Sequence, residues 1–239
     1  MDTARIAVLL KPFLHQSLPE SQLDQISTYI NLLLHWNARI NLTAIRDEEE
    51  IVTRHFGESF FLARHLFPTL CHPDPEPVEG EGPMQLGPSA GNWQLATGNC
   101  LPRVLDIGSG AGFPALPLKL WAPCIHLTLV ESNHKKATFL REVTRALTFT
   151  NINVINDRAE SLATRQKDFR ADLVTLRAVE HFERILPQAA AFLAPRGIMA
   201  LLIGSAQLPH LTTLTTLKWH PPIPIPQSHA SILSIGEHI

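Results

Sequence analysis

The chain has 239 residues, of which 45% are hydrophobic and 18% charged, and its formal net charge is −2. This balance is typical of a globular protein and excludes a largely disordered chain or a coiled coil. No apolar run approaches the roughly 20 residues that span a bilayer, and Pro12 interrupts the apolar N-terminal stretch, so neither a membrane anchor nor a signal peptide is expected. The three cysteines lack CxxC spacing, which disfavours a zinc site and favours a reducing compartment. We therefore expect a cytoplasmic protein.

The charge is unevenly distributed along the chain. Residues 101–200 carry 13 Lys and Arg against nine Asp and Glu, whereas residues 71–100 carry four acidic residues and no Lys or Arg. The net charge by itself argues against a polyanionic partner. The positive middle block is nevertheless compatible with a localised nucleic-acid-binding face.

Residues 1–70 are predicted to form a small N-terminal helical cap. One amphipathic helix is predicted within residues 19–46, and a second from the N-cap Asp47, with Glu50 three positions later, to Phe67. The apolar residues that recur at helical spacing in the first helix are Leu23, Ile26, Ile30, Leu33 and Leu34.

Residues 71–102 are rich in proline and glycine and show neither helical nor strand periodicity. This pattern is typical of an insertion or linker that contributes nothing to the core.

Residues 103–239 alternate between short strands and helices, which predicts one α/β domain with a doubly wound, Rossmann-like parallel sheet covered on both faces. The tail, with a proline-rich stretch at 221–226 and a strand at 231–235, is expected to close the sheet as a hairpin. The other predicted strands are 103–107, 126–130, 152–156, 171–176 and 197–203, and the helices are 113–121, 135–147 and 181–193.

The strongest motif is a glycine turn between the first strand and the first helix of this domain. Gly108, Gly110 and Gly112 permit backbone angles that a Cβ atom forbids, and they allow close approach of a ligand. In a doubly wound sheet, such a turn lies at the carboxyl edge, where ligands bind. Glu131 ends the second strand 19 residues after Gly112, where a carboxylate can accept hydrogen bonds from two ribose hydroxyls. The alternative is a plain tight turn with a surface glutamate.

The same turn discriminates between adenosine cofactors. Dinucleotide sites carry G-x-G-x-x-G, whereas here the order is G-x-G-x-G, and Asp106 precedes the first glycine by two positions. A carboxylate directed at the turn would repel a pyrophosphate but would suit a cationic ligand. S-adenosylmethionine carries a sulfonium, an ammonium group and a ribose without phosphate, so we favour it over NAD.

Two further strand ends are expected to face the cleft. Residues 156–160, after the third strand, are placed to flank an adenine; the alternative is an ordinary turn with Asp157 as N-cap. Arg177 ends the fourth strand and is expected to point toward the methyl donor; the alternative is a solvated arginine.

Together these residues resemble the RsmG (GidB) family, class I methyltransferases that modify guanine N7 in 16S ribosomal RNA. The resemblance implies that Gly108, Phe113, Ala159, Glu160 and Arg177 contact the cofactor. Its motifs are Trp36-Asn37, Asn41-Leu42-Thr43, Arg54-His55 with Ser59, 106–114, Arg158-Ala159-Glu160 and Arg177-Ala178.

The chain also departs from the pattern of the family. Glu58 stands where an aspartate is common, Ile203-Gly204 stands where Lys-Gly is usual, and residues 228–239 contain no Lys or Arg. These positions are expected near RNA, so the departures bear on RNA affinity more than on cofactor binding.

Guanine N7 has an in-plane lone pair and no proton, so its methylation needs alignment and charge dispersal but no general base. We therefore expect no catalytic acid–base pair and no metal site, with Arg177 in a positioning role. The expected partner is 16S ribosomal RNA or the small subunit, bound by a monomer. Alternatives are a methyltransferase with another substrate and an inactive binder of S-adenosylmethionine. The residues expected to bind the RNA substrate are Asn41, Arg54, His55 and Arg158, on a wider basic surface with Arg39, Arg46, Lys135, Lys136, Arg141 and Arg177.

Overall fold

The computed structural model describes residues 1–67, 102–179, 181–228 and 230–239. The predicted insertion at 71–102 therefore lies, except for Pro102, outside the described residues, and the division of the chain into cap, insertion and methyltransferase domain stays a prediction. Within the described ranges, no helix is both long and apolar enough to cross a membrane.

The described strands form one eight-stranded sheet in the order β3-β2-β1-β4-β5-β8-β6, with the short β7 paired to β8. Strands β1 to β5 are parallel, whereas β8 runs antiparallel between β5 and β6. The doubly wound α/β prediction is confirmed. The strands are β1 Arg103–Ile107, β2 His126–Val130, β3 Ile152–Ile155, β4 Ala171–Arg177, β5 Leu193–Gly204, β6 Leu217–Trp219, β7 Ile223–Pro224 and β8 Ser231–His238.

The N-terminal region is helical, as predicted, with different bounds. The first predicted helix ends at Asn37 rather than near residue 46, because the Asn37 side chain accepts from the backbone N–H groups of Leu42 and Thr43 and turns the chain. Asp47 caps the second predicted helix, as expected, since its carboxylate accepts a hydrogen bond from Glu50 N at 2.8 Å. The elements are α1 Thr3–Leu10, which was not predicted, a 3-10 turn Lys11–Phe13, α2 Glu20–Asn37, α3 Glu48–Glu50, a π-helix Ile51–Gly57 and α4 Glu58–Leu66.

The helices between the strands also begin or end at residues that differ from the predicted ones. The helix predicted at 113–121 begins two residues later because Pro114 is its N-cap, and the one predicted at 135–147 begins earlier because the Asn133 side chain caps it. The helix predicted at 181–193 ends at Ala190, since Leu193 already pairs with β4. These helices are α5 Ala115–Trp121, α6 His134–Ala146, α7 Ala159–Arg165, α8 Phe182–Ala190 and α9 Leu208–Leu211.

Alternate residues of the strands pack into two cores on opposite faces of the sheet, as expected for a sheet buried on both sides. One core contains Leu105 and Val174 and is covered by α7 and α8. The other contains Val104 and is covered by α2, α4, α5 and α6. The N-terminal helices thus share a core with the sheet, and this packing holds them beside its carboxyl edge.

Candidate functional site

A cavity of about 540 Å³ lies at the carboxyl edge of the sheet. Its walls are the glycine turn after β1, the loop after β2, the end of β4 with residues 177–179, and two parts of the N-terminal region, residues 42–44 and His55. Ligands of doubly wound folds bind at this edge. The cap and the sheet therefore build one site together.

The backbone of the glycine turn is left-handed at each of its three glycines, with φ of +71° at Gly108, +53° at Gly110 and +91° at Gly112. A Cβ atom on Gly112 would lie 2.4 Å from the Tyr29 hydroxyl and 2.6 Å from Leu116 Cδ1. The Tyr29 hydroxyl itself donates to the carbonyl oxygen of Ala111 inside the turn. Gly112 therefore permits both the turn and its attachment to α2.

Glu131 lies where the sequence predicted a ribose-binding acid. Its side chain lines the cavity and is only 6% exposed. One carboxylate oxygen accepts from Gly110 N at 2.8 Å, and the other accepts from Asn133 N at 2.7 Å. These two backbone donors fix the orientation of the carboxylate beside the turn.

Asp106 lies beneath the turn and is 1% exposed. Its Oδ1 accepts from Thr175 Oγ1 at 2.6 Å, while Oδ2 has no hydrogen-bond partner among the described residues. Burial raises the pKa of this carboxyl to about 7, although the Thr175 hydrogen bond opposes the shift. Glu131 lines the cavity whereas Asp106 does not, so the predicted repulsion of a pyrophosphate by Asp106 stays a prediction.

Arg177 reaches the cavity from the end of β4, but its guanidinium is held by the N-terminal region. Nη2 donates to Glu58 Oε2 at 2.9 Å and to the carbonyl oxygen of Arg54 at 2.7 Å. Glu58 also pairs with Arg54 Nε at 3.0 Å. Nη1 of Arg177 is buried and has no hydrogen-bond partner among the described residues. The guanidinium of Arg177 is thus held through Nη2, and its Nη1 forms no hydrogen bond within the described ranges.

An aromatic stack forms the wall beside the cap. Phe113 packs face to face with Tyr29 on one side, at 5.2 Å between centroids, and with His55 on the other, at 4.7 Å. His55 Nε2 lies 2.8 Å from Thr43 Oγ1, and its Nδ1 is buried and has no partner among the described residues. Burial, reinforced by the charges of Arg177 and Arg54, lowers the pKa of His55 to about 3, so this imidazole is neutral at physiological pH.

A second cavity of about 390 Å³ adjoins the first and shares Gly108, Ser132 and Ile185 with it. Arg158 and Glu160 line it. The loop predicted to flank an adenine therefore lies beside the glycine turn, in a cavity that adjoins the first.

The remaining predicted site residues lie outside these two linings. Ala159 is buried at the start of α7, and Asn41 is exposed. Arg54 is half exposed and bound to Glu58. Sequence reasoning missed Tyr29 and Thr43 as parts of the site, and singled out Glu58 only as a departure from a pattern. In the described ranges, no group of three or more His, Cys, Asp or Glu residues could hold a metal ion.

The sequence matches the family model described as "rRNA small subunit methyltransferase G" (GidB) over residues 22–68 and 86–218. The protein "Ribosomal RNA small subunit methyltransferase G" of Chloroflexus aggregans is 37% identical over 191 residues, covering 75% of this chain and 66% of that protein. The protein of the same name from Bacillus pumilus is 32% identical over 190 residues, covering 77% of this chain and 65% of that protein. The chain thus spans about two thirds of the length of these relatives.

Among solved structures, a chain of the fibrillarin/Nop5p complex aligns with a TM-score of 0.49 and 18% identity, covering 58% of this chain and 73% of that chain. The strand order and the parallel register of β1 to β5 define the doubly wound fold of this chain.

Proposed function

The chain belongs to the rRNA small subunit methyltransferase G family, and from this premise we propose that it transfers a methyl group from S-adenosylmethionine to N7 of a guanine in 16S ribosomal RNA. The observation that carries the proposal is the pairing of a left-handed glycine turn with Glu131 in one cavity. This pairing supports a nucleoside-binding site, and its glycine spacing differs from that of a dinucleotide site.

The residues present fit this cofactor. Glu131 is oriented by two backbone N–H groups and still has lone pairs for ribose hydroxyls. The adjoining cavity, lined in part by Arg158 and Glu160, offers room for an adenine. Asp106 lies beneath the turn with one oxygen unpartnered among the described residues, and a cationic ligand above it would favour its ionised form. When bound, S-adenosylmethionine supplies an electrophilic methyl group on a sulfonium centre.

The other residues of the cavity suit a reaction without proton transfer. His55 is neutral at physiological pH and does not oppose a cationic donor or a cationic methylated base. We assign it, with Arg177, to positioning of the guanine, because both line the cavity and each keeps one buried nitrogen with no hydrogen-bond partner among the described residues. We also assign Arg158, Arg54 and Asn41 to contacts with the RNA around the base.

The proposal is tested by transfer of labelled methyl from S-adenosylmethionine to deproteinised small-subunit RNA and to intact small subunits, followed by cleavage mapping of N7-methylguanine. We expect label at one guanine. Label on a protein of the small subunit instead of on RNA would support another methyltransferase activity. Cofactor binding without transfer to any of these substrates would identify a binding protein rather than an enzyme.

A further inference from the structure

Helix α6 begins at the rim of the cavity and leads away from it along the edge of the sheet. Asn133, its N-cap, and Lys136, in its first turn, line the cavity. Arg141 and Arg145, near its C-terminal end, line a separate open groove of about 520 Å³ beside the edge strand β3. The 13 residues of α6 therefore connect the two over about 20 Å.

The outer face of α6 carries a stripe of basic and polar side chains. His134, Thr138, Arg141 and Arg145 are spaced by four, three and four residues, so they share one side of the helix. Lys135 is exposed beside the start of this stripe. Arg141 Nη2 also donates to the carbonyl oxygen of Val154 on β3 at 3.1 Å, which holds its side chain over the groove.

The cations of α6 are concentrated along one helix. Arg103, Arg165 and Arg184 each pair with an acidic side chain on the surface. Within the described ranges, Lys135, Lys136, Arg141 and Arg145 form no ion pair, and Glu142 is the one acidic residue of α6. A chain of net charge −2 thus places four cations against a single carboxylate, Glu142, on one helix that starts at its cavity. Such a row attracts a polyanion rather than a neutral partner.

We propose that the outer face of α6, together with the groove beside β3, binds the phosphate backbone of the RNA strand that flanks the target guanine. This inference rests on the proposed function, because the substrate is taken to be RNA. The cavity would select the base, and α6 would position the strand without reading its sequence. In the groove, the side-chain amide of Asn153 supplies a neutral donor for phosphate or ribose oxygens. The hydroxyls of Thr144 and Thr148 already donate to the carbonyl oxygens of Leu140 and Leu147.

The test compares two triple variants with the same net charge. K135Q/R141Q/R145Q removes cations from α6, and K167Q/R196Q/K218Q removes three exposed cations that lie outside both cavities and the groove. Binding of each variant to deproteinised small-subunit RNA and to a short single-stranded oligoribonucleotide is measured over a range of salt concentrations. Binding of S-adenosylmethionine and circular dichroism confirm that both variants are folded.

We expect the α6 variant to bind RNA about tenfold more weakly at low salt and to lose about 2 from the slope of log affinity against log salt, because each phosphate contact on a single strand contributes about 0.7. The control variant should retain the wild-type slope. Equal affinity and slope in the two variants would overturn the proposal. If the wild type shows this α6-dependent binding but transfers no methyl, the proposed function fails while the binding surface stands.

Discussion

Glu58 and Arg177 form a buried ion pair at the cavity, with 2.9 Å between Oε2 and Nη2 and side-chain exposures of 3% and 12%. The pair joins the first residue of α4 to the last residue of β4, so the cap and the sheet depend on each other at the site. The π-helix before α4 contributes as well, because the Arg54 carbonyl within it accepts a second hydrogen bond from Arg177.

We expect Glu58→Gln to lower methyl transfer strongly and to destabilise the fold by about 3–5 kcal/mol, because it leaves a buried guanidinium without its counter-charge. Urea unfolding and transfer kinetics measure the two effects. Arg5→Gln is the matched control, since the Arg5–Glu49 pair is exposed on both sides, and it should change neither. A Glu58→Gln variant with wild-type stability and turnover would show that the pair has no positioning role.

Replacement of Gly112, Gly110 and Gly204 by alanine, one at a time, should separate the effect of steric conflict from that of backbone strain. Gly112→Ala adds a Cβ within 2.4 Å of the Tyr29 hydroxyl, so we expect a large loss of stability and of cofactor affinity. In Gly110→Ala, the added Cβ lies no closer than 3.7 Å to any other heavy atom. We therefore expect the free energy of unfolding to fall only by the cost of a positive φ for alanine, about 1 kcal/mol. Gly204→Ala, with open space around it, should be near neutral.

Tyr29→Phe in the Gly112→Ala background removes the hydroxyl, one of the two groups in conflict with the added Cβ, and leaves the contact with Leu116. Urea unfolding of the double variant should therefore show part of the lost stability restored. Equal stabilities of Gly112→Ala and Gly110→Ala would contradict the attachment of the turn to α2.

Asp106 should make stability depend on pH. Its folded pKa of about 7 lies above the ordinary 3.8, so the folded chain holds a proton that the unfolded chain releases. Stability is therefore expected to fall as pH rises from about 4 to about 7, by an amount of the order of 4 kcal/mol at most. Asp106→Asn, which stays neutral, should lose this dependence in urea unfolding at pH 5, 6, 7 and 8. If the free energy of unfolding depended on pH in the same way in the wild type and in Asp106→Asn, the raised pKa of Asp106 would be contradicted.

His55 should leave no trace in the pH profile of the reaction, because its pKa of about 3 keeps it neutral from pH 5 to pH 8. His55→Phe keeps a ring against Phe113 but removes the nitrogen atoms that face Thr43 and the site. We expect it to reduce transfer while the shape of the profile stays that of the wild type. A wild-type inflection near pH 6.5 that disappears in His55→Phe would mean that His55 titrates during the reaction.

The sequence was sufficient to predict the parallel sheet, the glycine turn and the position of Glu131, because strand-helix alternation and glycine spacing are local signals. It did not reveal that Asp106 is buried beneath the turn, since burial depends on packing against Thr175 from a strand 69 residues away. The π-helix was also missed: its buried residues Ile51, Val52, Phe56 and Gly57 recur every five positions, and the sequence analysis assigned this segment to one amphipathic helix without distinguishing that spacing from the α-helical one.

The contact of Glu58 with Arg177 spans 119 residues, and no local pattern predicts such a pair. The place of β8 between β5 and β6 is likewise a matter of topology rather than of local sequence. The sequence therefore predicted the part of the site that is formed by one continuous segment, the glycine turn. It did not predict the contacts between the N-terminal helices and the sheet.

Calorimetric titration of the wild-type chain with S-adenosylmethionine and, separately, with NAD tests the central claim most directly. We expect S-adenosylmethionine to bind at one site and NAD to give no heat. Gly110→Asp, which sets a second carboxylate beside Glu131, should abolish the binding without a large change in melting temperature. Binding of NAD by the wild type, with none of S-adenosylmethionine, would contradict the account.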